Sequence, residues 1–228
     1  MKKIIIFILF ISSISIKAQN IQILGGIGSD KTFTNFITTE IFRPLEYGKF
    51  YYFTDFKINQ NGYFDSYSEI SKYWNLTKTG FSITGQINLG MYIDTITMKG
   101  FQINPVYLVG FSKEGSVGKW ILSLDVLYRS DQGLNDQGAQ LTGCFLRDTE
   151  HFQISGYCDL WQTTNSAAYT KNKNNSVIII FEPQAWWKFS KRVYLGIECR
   201  ISNFTDPDLG LYAHSSYCMV GFKWNLEN

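Results

Sequence analysis

Histidine is nearly missing from this chain, with two among 228 residues, His151 and His214. That scarcity leaves little from which to assemble a base beside a nucleophile, and no run of residues has metal-ligand spacing, so neither hydrolytic chemistry nor a metal centre is expected. The four cysteines, Cys144, Cys158, Cys199 and Cys218, are too scattered for a disulfide scaffold. Apolar runs are short everywhere past residue 16, which excludes a membrane-spanning helix beyond the N-terminus. Charge of one sign is lacking too. With 21 basic against 19 acidic residues and no basic stripe, a nucleic-acid partner is not expected.

The start of the chain reads as an export signal. Met1, Lys2 and Lys3 give a positive beginning, residues 4–16 are mostly apolar, and Ala18 offers a small residue for cleavage. Residues 1–18 are therefore expected to be a signal peptide and 19–228 a single domain. The signal holds three of the 21 basic residues and none of the 19 acidic ones, so the remainder carries a formal charge of −1.

What the chain has in abundance is aromatic residues (14 Tyr, 18 Phe and 6 Trp) and alternation. Val193, Leu195, Ile197, Cys199 and Ile201 share one parity, and Tyr194, Gly196, Glu198, Arg200 and Ser202 share the other. Successive side chains of a strand point to opposite faces, so a period of two marks a two-faced strand. The same pattern divides the chain into about twelve strands, near 20–27, 32–43, 48–59, 65–76, 80–93, 99–111, 118–130, 137–147, 150–163, 176–189, 193–204 and 213–226. Compact connections follow the even-numbered strands, at 44–47, 77–79, 112–117, 148–149 and 190–192, and looser polar ones follow the odd. Phe50, Trp74, Phe81, Phe111, Trp120, Phe145, Phe152, Trp187, Phe189, Tyr194 and Trp224 gather beside the compact turns. Short turns on one rim, longer loops on the other and an aromatic girdle describe an all-β fold, a single antiparallel up-and-down transmembrane β-barrel. The expected location is the outer membrane of a Gram-negative bacterium, with both termini periplasmic and an aromatic last strand of the kind that outer-membrane assembly machinery reads.

If the apolar faces meet lipid, the opposite faces line a lumen. That places Glu40, Tyr51, Phe53, Asp55, Glu69, Asp125, Asp159, Trp161, Glu182, Trp186 and Arg200 inside, together with Lys57, Gln86, Asn88, Gln102, Asn104, Arg129, Gln140, Gln184 and Glu198. Rings offer stacking faces and carboxylates and amides offer hydrogen bonds, a combination suited to a polar, ring-bearing solute. Counting across the turn at 190–192 sets Glu182 opposite Arg200, a candidate structural pair. Cys199 and Cys218 share a face of neighbouring strands, so one bridge between them is compatible with the pattern. Pro105 and Pro183 lie inside strands and should mark bulges, since a closed barrel has no free edge. Lys72 falls on the apolar parity beside Trp74 and should snorkel to the interface.

The run Thr38-Thr39-Glu40-Ile41-Phe42-Arg43-Pro44, followed by Phe50-Tyr51-Tyr52-Phe53-Thr54-Asp55-Phe56, resembles a hairpin of the nucleoside-specific outer-membrane channel family (Tsx-like) and its uncharacterised relatives. Ser68-Glu69-Ile70, Gly156-Tyr157-Cys158-Asp159-Leu160-Trp161, Phe181-Glu182-Pro183-Gln184-Ala185-Trp186-Trp187 and Gly196-Ile197-Glu198-Cys199-Arg200-Ile201-Ser202 are similar to other segments of it. The resemblance implies a twelve-stranded channel for passive diffusion of nucleosides or similar small polar solutes, without a cofactor or covalent chemistry, in which Glu40, Asp55, Glu69 and Asp159 match lumenal positions. The competing readings are an outer-membrane barrel enzyme acting on lipid, a closed structural barrel without transport, and a soluble exported barrel or sandwich that would reverse every face.

Overall fold

The computed structural model describes residues 20–28, 33–59, 64–94, 99–133, 136–163, 177–203 and 216–226. The expected signal peptide, His214 and most of both long loops lie outside these residues. The described regular structure consists of twelve strands: β1 (Asn20–Gly28), β2 (Phe33–Leu45), β3 (Gly48–Asn59), β4 (Phe64–Asn75), β5 (Phe81–Asp94), β6 (Lys99–Val117), β7 (Trp120–Asp131), β8 (Asp136–Asp148), β9 (Phe152–Gln162), β10 (Val177–Lys188), β11 (Val193–Ser202) and β12 (Ser216–Asn225). Each pairs antiparallel with its sequence neighbours, and β1 closes the sheet on β12 from Asn20↔Asn225 to Gly28↔Tyr217. The result is a closed up-and-down barrel, with the ends of β1 and β12 on the rim of the short turns.

The alternation decides the faces. Ile23, Ile37, Val109, Leu124, Val126, Ile197, Val220 and Phe222 are exposed, whereas their strand neighbours Leu24, Gln22, Leu127, Asp125, Glu198 and Met219 are buried. In a closed sheet the buried parity faces the enclosed interior, so the greasy side chains look outward over the whole circumference. A soluble sandwich would bury those same residues. Trp74, Phe81, Phe111, Phe152, Trp187 and Trp224 stand exposed at the short-turn rim. Tyr194 does not join them; it is buried inside, with the Lys188 ammonium 5.6 Å from its ring centre. Lys72 faces outward on the apolar parity, its ammonium 5.9 Å from the centre of the Trp74 ring, as a snorkelling side chain should be.

Four expectations need correction. Residues 112–117 are not a turn: they continue β6, paired with Trp120–Asp125 of β7, and the chain reverses at Gly118 and Lys119. Small residues such as Ser112, Gly115 and Ser116 mimic a turn in sequence, but the left-handed Gly118 (φ +60°) is the position that permits the two-residue reversal. Pro183 makes no bulge. Lacking an N–H, it interrupts the ladder to β11, which stops at Phe181↔Ile201 and resumes in the same register at Gln184↔Glu198. Pro105 does mark a bulge, where Asn104 and Pro105 together oppose Leu89. That extra residue reverses the parity beyond it, so Gln102 pairs with Met91 on the outer face and is exposed, not lumenal; Asn104 is exposed as well. Finally, the rims are less unequal than the sequence suggests. Connections 29–32, 60–63, 95–98 and 132–135 span four residues each, against two to five in the turns opposite, and only 163–176 and 203–215 are long.

Cys199 and Cys218 are direct cross-strand partners with Cα atoms 4.1 Å apart, and they form a disulfide on the outer face. Cys144 and Cys158 are free thiols, the first turned inward and the second outward and exposed. Titration of the unfolded protein with a maleimide should therefore find two thiols without reductant and four after reduction; four without reductant would contradict the bridge.

Gly80 and Gly118 give a paired test of turn geometry. Gly80 sits at φ +86°, its carbonyl oxygen accepts a hydrogen bond from the Glu114 amide N–H at 2.9 Å, and an added Cβ would collide with the Glu114 carbonyl. Gly118 is also left-handed but has open space around it. Gly118→Asn should cost no more than about 0.5 kcal/mol, since Asn visits this region routinely. Gly80→Ala should cost about 1–3 kcal/mol in urea titrations of the detergent-refolded barrel, because strain and overlap add.

Candidate functional site

The strands deliver their inward side chains to one shared interior. All of Glu40, Tyr51, Phe53, Asp55, Glu69, Asp125, Asp159, Trp161, Glu182, Trp186 and Arg200 lie on the inward parity. Their levels differ. Asp125 stands toward the short-turn end, where its Oδ2 accepts a hydrogen bond from the Tyr73 hydroxyl at 2.9 Å and the Lys49–Glu114 ion pair lies close by. Trp161, the penultimate residue of β9, stands toward the loop end and Trp186 toward the turn after β10, while Asp55, Glu69, Asp159, Glu182 and Glu198 lie between the rims, within electrostatic reach of one another and of Glu40, Arg129 and Arg200.

Each of these carboxylates has its own neutral donor. Thr38 donates to Asp55 at 2.5 Å and Thr142 to Asp159 at 2.5 Å, in both cases from a neighbouring strand. Glu69 accepts from the Tyr67 hydroxyl at 2.6 Å and from Gln86 at 2.9 Å, while Asn88 donates to that same hydroxyl at 2.7 Å. Glu40 accepts from Asn20 at 2.7 Å, and Glu198 from Gln184 at 2.7 Å. Glu182 accepts from Tyr157 at 3.2 Å and Tyr217 at 3.5 Å, with the Arg200 Nε 3.8 Å away. The expected Glu182–Arg200 opposition is thus met, through side chains that reach past the ladder gap at Pro183. Buried carboxylates demand such partners, because stripping their water without replacement costs several kcal/mol per ion.

Rings complete the wall. Tyr51, Phe53 and Tyr67 form a tilted row with centroids 5.9 and 6.0 Å apart. The Arg129 guanidinium lies 4.7 Å from the Trp161 ring centre and the Lys223 ammonium 4.9 Å from that of Trp186. Trp186 also donates its indole N–H to Gln184 at 3.0 Å.

Reading by parity captured the acids and missed much of their support. Tyr67, Tyr157 and Tyr217 share the parity of Glu69, Asp159 and Arg200, a signal available in the sequence; Tyr67 meets Glu69 two residues on along the same strand, whereas the contacts of Tyr157 and Tyr217 with Glu182 are set by reach between strands. Gln22 and Lys223, both buried, also face inward and were unmarked by any motif. The interior is in addition more apolar than alternation alone suggests. Leu24, Phe36, Trp186, Tyr194 and Met219 pack together there, as do Trp161, Ile178 and Ile180, and Val106, Leu108 and Leu127. His151, by contrast, stands exposed in the turn between β8 and β9, away from this constellation.

Comparison with known proteins places the fold. Solved structures of similar architecture include the KdgM porin, at 13% identity and TM-score 0.55 over 91% of this chain and 99% of that one. The NanC porin matches at 10% identity and TM-score 0.56, over 91% of this chain and all of the other. A further structure shows the KdgM porin in complex with disordered oligogalacturonate, at 14% identity and TM-score 0.55 over the same shares as the first. At such identities the likeness is one of fold, a porin barrel, and it stops short of a solute. No curated protein matches the sequence significantly. A family model described as a domain of unknown function, DUF5020, matches residues 18–225. Nearly the whole chain fits that description, so this porin-like barrel belongs to the DUF5020 family.

Proposed function

We propose that the barrel is an outer-membrane channel through which small polar solutes diffuse passively. One observation carries the reading: a closed sheet, predominantly apolar around its outer circumference, encloses a mid-barrel constellation of carboxylates, amides, tyrosines and arginines. Such an outside fits hydrocarbon, and such an inside fits a solute rich in hydroxyls and amino groups. The likeness to porins supports it. In this reading the removable N-terminal segment directs export, the final strand β12 is read by assembly machinery, and both ends of the chain lie in the periplasm.

Nucleosides or similar ring-bearing solutes are the finer proposal. It rests on the resemblance carried by Glu40, Asp55, Glu69 and Asp159 and on the row Tyr51, Phe53 and Tyr67, whose faces would stack on a flat base while the acids accept from sugar hydroxyls. Trp161, Trp186, Glu182, Asp125 and Arg200 belong to the proposed lining as well. A hydrogen bond to a charged group is worth about 1.5–3 kcal/mol, so Asp55→Ala and Asp159→Ala should each change nucleoside uptake on the order of tenfold. The measurement is liposome swelling with a panel of nucleosides, sugars and amino acids, with folding followed by heat-modifiable migration in gels. Unchanged rates for every solute would remove the selective channel.

A specific observation also favours the second reading, a closed structural barrel. Trp186, Ile178, Gln22 and Asp125 are almost wholly buried, and the acids bond to their neighbours as in a packed core. The Glu182–Arg200 pair separates wall from passage. Arg200→Ala leaves a buried carboxylate uncompensated and should cost about 3 kcal/mol in urea, whereas Arg200→Met combined with Glu182→Gln should restore most of it. If that double variant keeps stability and loses solute uptake, the pair serves the passage; if both persist, it serves the wall.

A further inference from the structure

The interior is not electrically balanced. Toward the loop rim Lys57 lies 3.6 Å from Asp65, and toward the turn rim Lys188 lies 2.6 Å from Asp148 and Lys49 meets Glu114, so the cations near both ends have acids of their own. In the middle the proportion changes. Glu40, Asp55, Glu69, Asp159, Glu182 and Glu198 outnumber the cations that reach them, Arg129, Arg200 and Lys223, and Arg129 is further engaged by Asp131 at 3.7 Å. The supporting donors are neutral hydroxyls and amides, which orient the acids without adding positive charge.

An independent feature has the same sign. Gln22 is wholly buried and faces inward between its strand partners Thr38 and Lys223. Its amide nitrogen donates to Asn20 at 3.2 Å, and Asn20 in turn donates to Glu40, which leaves the Gln22 Oε1 with no hydrogen-bond partner. A buried acceptor without a donor costs about 1–3 kcal/mol. Here it adds one more uncompensated electronegative atom beside the acids. Ring faces at the same level, Tyr51, Phe53 and Tyr67, attract cations through their electron-rich centres.

We infer that the passage prefers cations, taking small solutes that carry ammonium or other positively charged donor groups ahead of anions. This inference rests on the channel reading above and names the charge class of what passes. It also sets this barrel apart from a porin that holds an oligogalacturonate, a chain of carboxylates, because a polyanion would meet like charge here at close quarters and low dielectric.

The test is the reversal potential of the full-length mature barrel in planar bilayers across a tenfold KCl gradient, kept below about 0.1 M so that screening stays weak. Potassium should permeate about fivefold better than chloride, and Glu69→Gln and Asp159→Asn, made separately, should each lower that ratio about twofold. Equal permeability or a chloride preference in the wild type would overturn the inference while leaving the channel intact. An unchanged ratio in both variants, each shown to be folded by heat-modifiable migration, would overturn the assignment to these acids. A folded wild-type barrel with no conductance would instead remove the channel and the inference together.

Discussion

Hydrocarbon offers a peptide group nothing to bond with, and the architecture of this chain depends on that constraint. Every strand needs a partner on both sides, so a sheet in lipid has to close on itself. Here closure is achieved at the seam between β1 and β12, nine residue pairs long from Asn20↔Asn225 to Gly28↔Tyr217. The first strand is short and glycine-containing, and two of its positions, Gly25 and Gly26, sit where side chains from β2 and β12 crowd the backbone. Once the seam is made, inside and outside are defined for all twelve strands at once.

That definition sorts the chemistry. One parity surrenders its side chains to lipid, where Ile, Leu, Val and Phe are favourable and Trp and Tyr settle at the edges. The other carries the carboxylates and most of the amides, concentrated together with apolar fillers in the enclosed interior. Charges brought so close cannot all be ignored, and the chain answers with a donor for each: Thr38 for Asp55, Thr142 for Asp159, Tyr67 for Glu69, Tyr157 and Tyr217 for Glu182. The donors come mostly from adjacent strands. The hydrogen-bond network is therefore a product of register, and a slip of one residue in any pairing would turn a donor out into lipid. Pro183 shows how firmly register is held, since the ladder to β11 skips over it without losing a residue.

The legible part of the fold was the part governed by period two. Strand number, the outward greasy face, the inward positions of Glu40, Asp55, Glu69, Asp159 and Glu182, and the opposition of Glu182 to Arg200 all follow from alternation and turn spacing. Gln102 escaped because a single extra residue at Pro105 flips the parity beyond it, and bulges carry no counting rule. Ser112 to Val117 escaped because small residues look alike in a turn and in a strand; pairing with Trp120 to Asp125 makes the difference, and pairing is not local. The apolar groups Val106, Leu108 and Leu127 inside the barrel lay beyond any simple inside-polar rule. A narrow lumen needs filling, and polarity of the strand faces says nothing of how full it is.

By itself, then, the amino-acid sequence determined what each strand can tolerate on its two sides, because side-chain direction alternates whatever the surroundings. Only the tertiary structure decided which side chains meet across strands: the Cys199–Cys218 bridge, the Gln86 amide on Glu69, the tyrosine donors to Glu182, and the excess of carboxylates at mid-barrel. Those encounters depend on closure and register, which bring together residues from β2 to β12, and distances between strands are not written in any one of them.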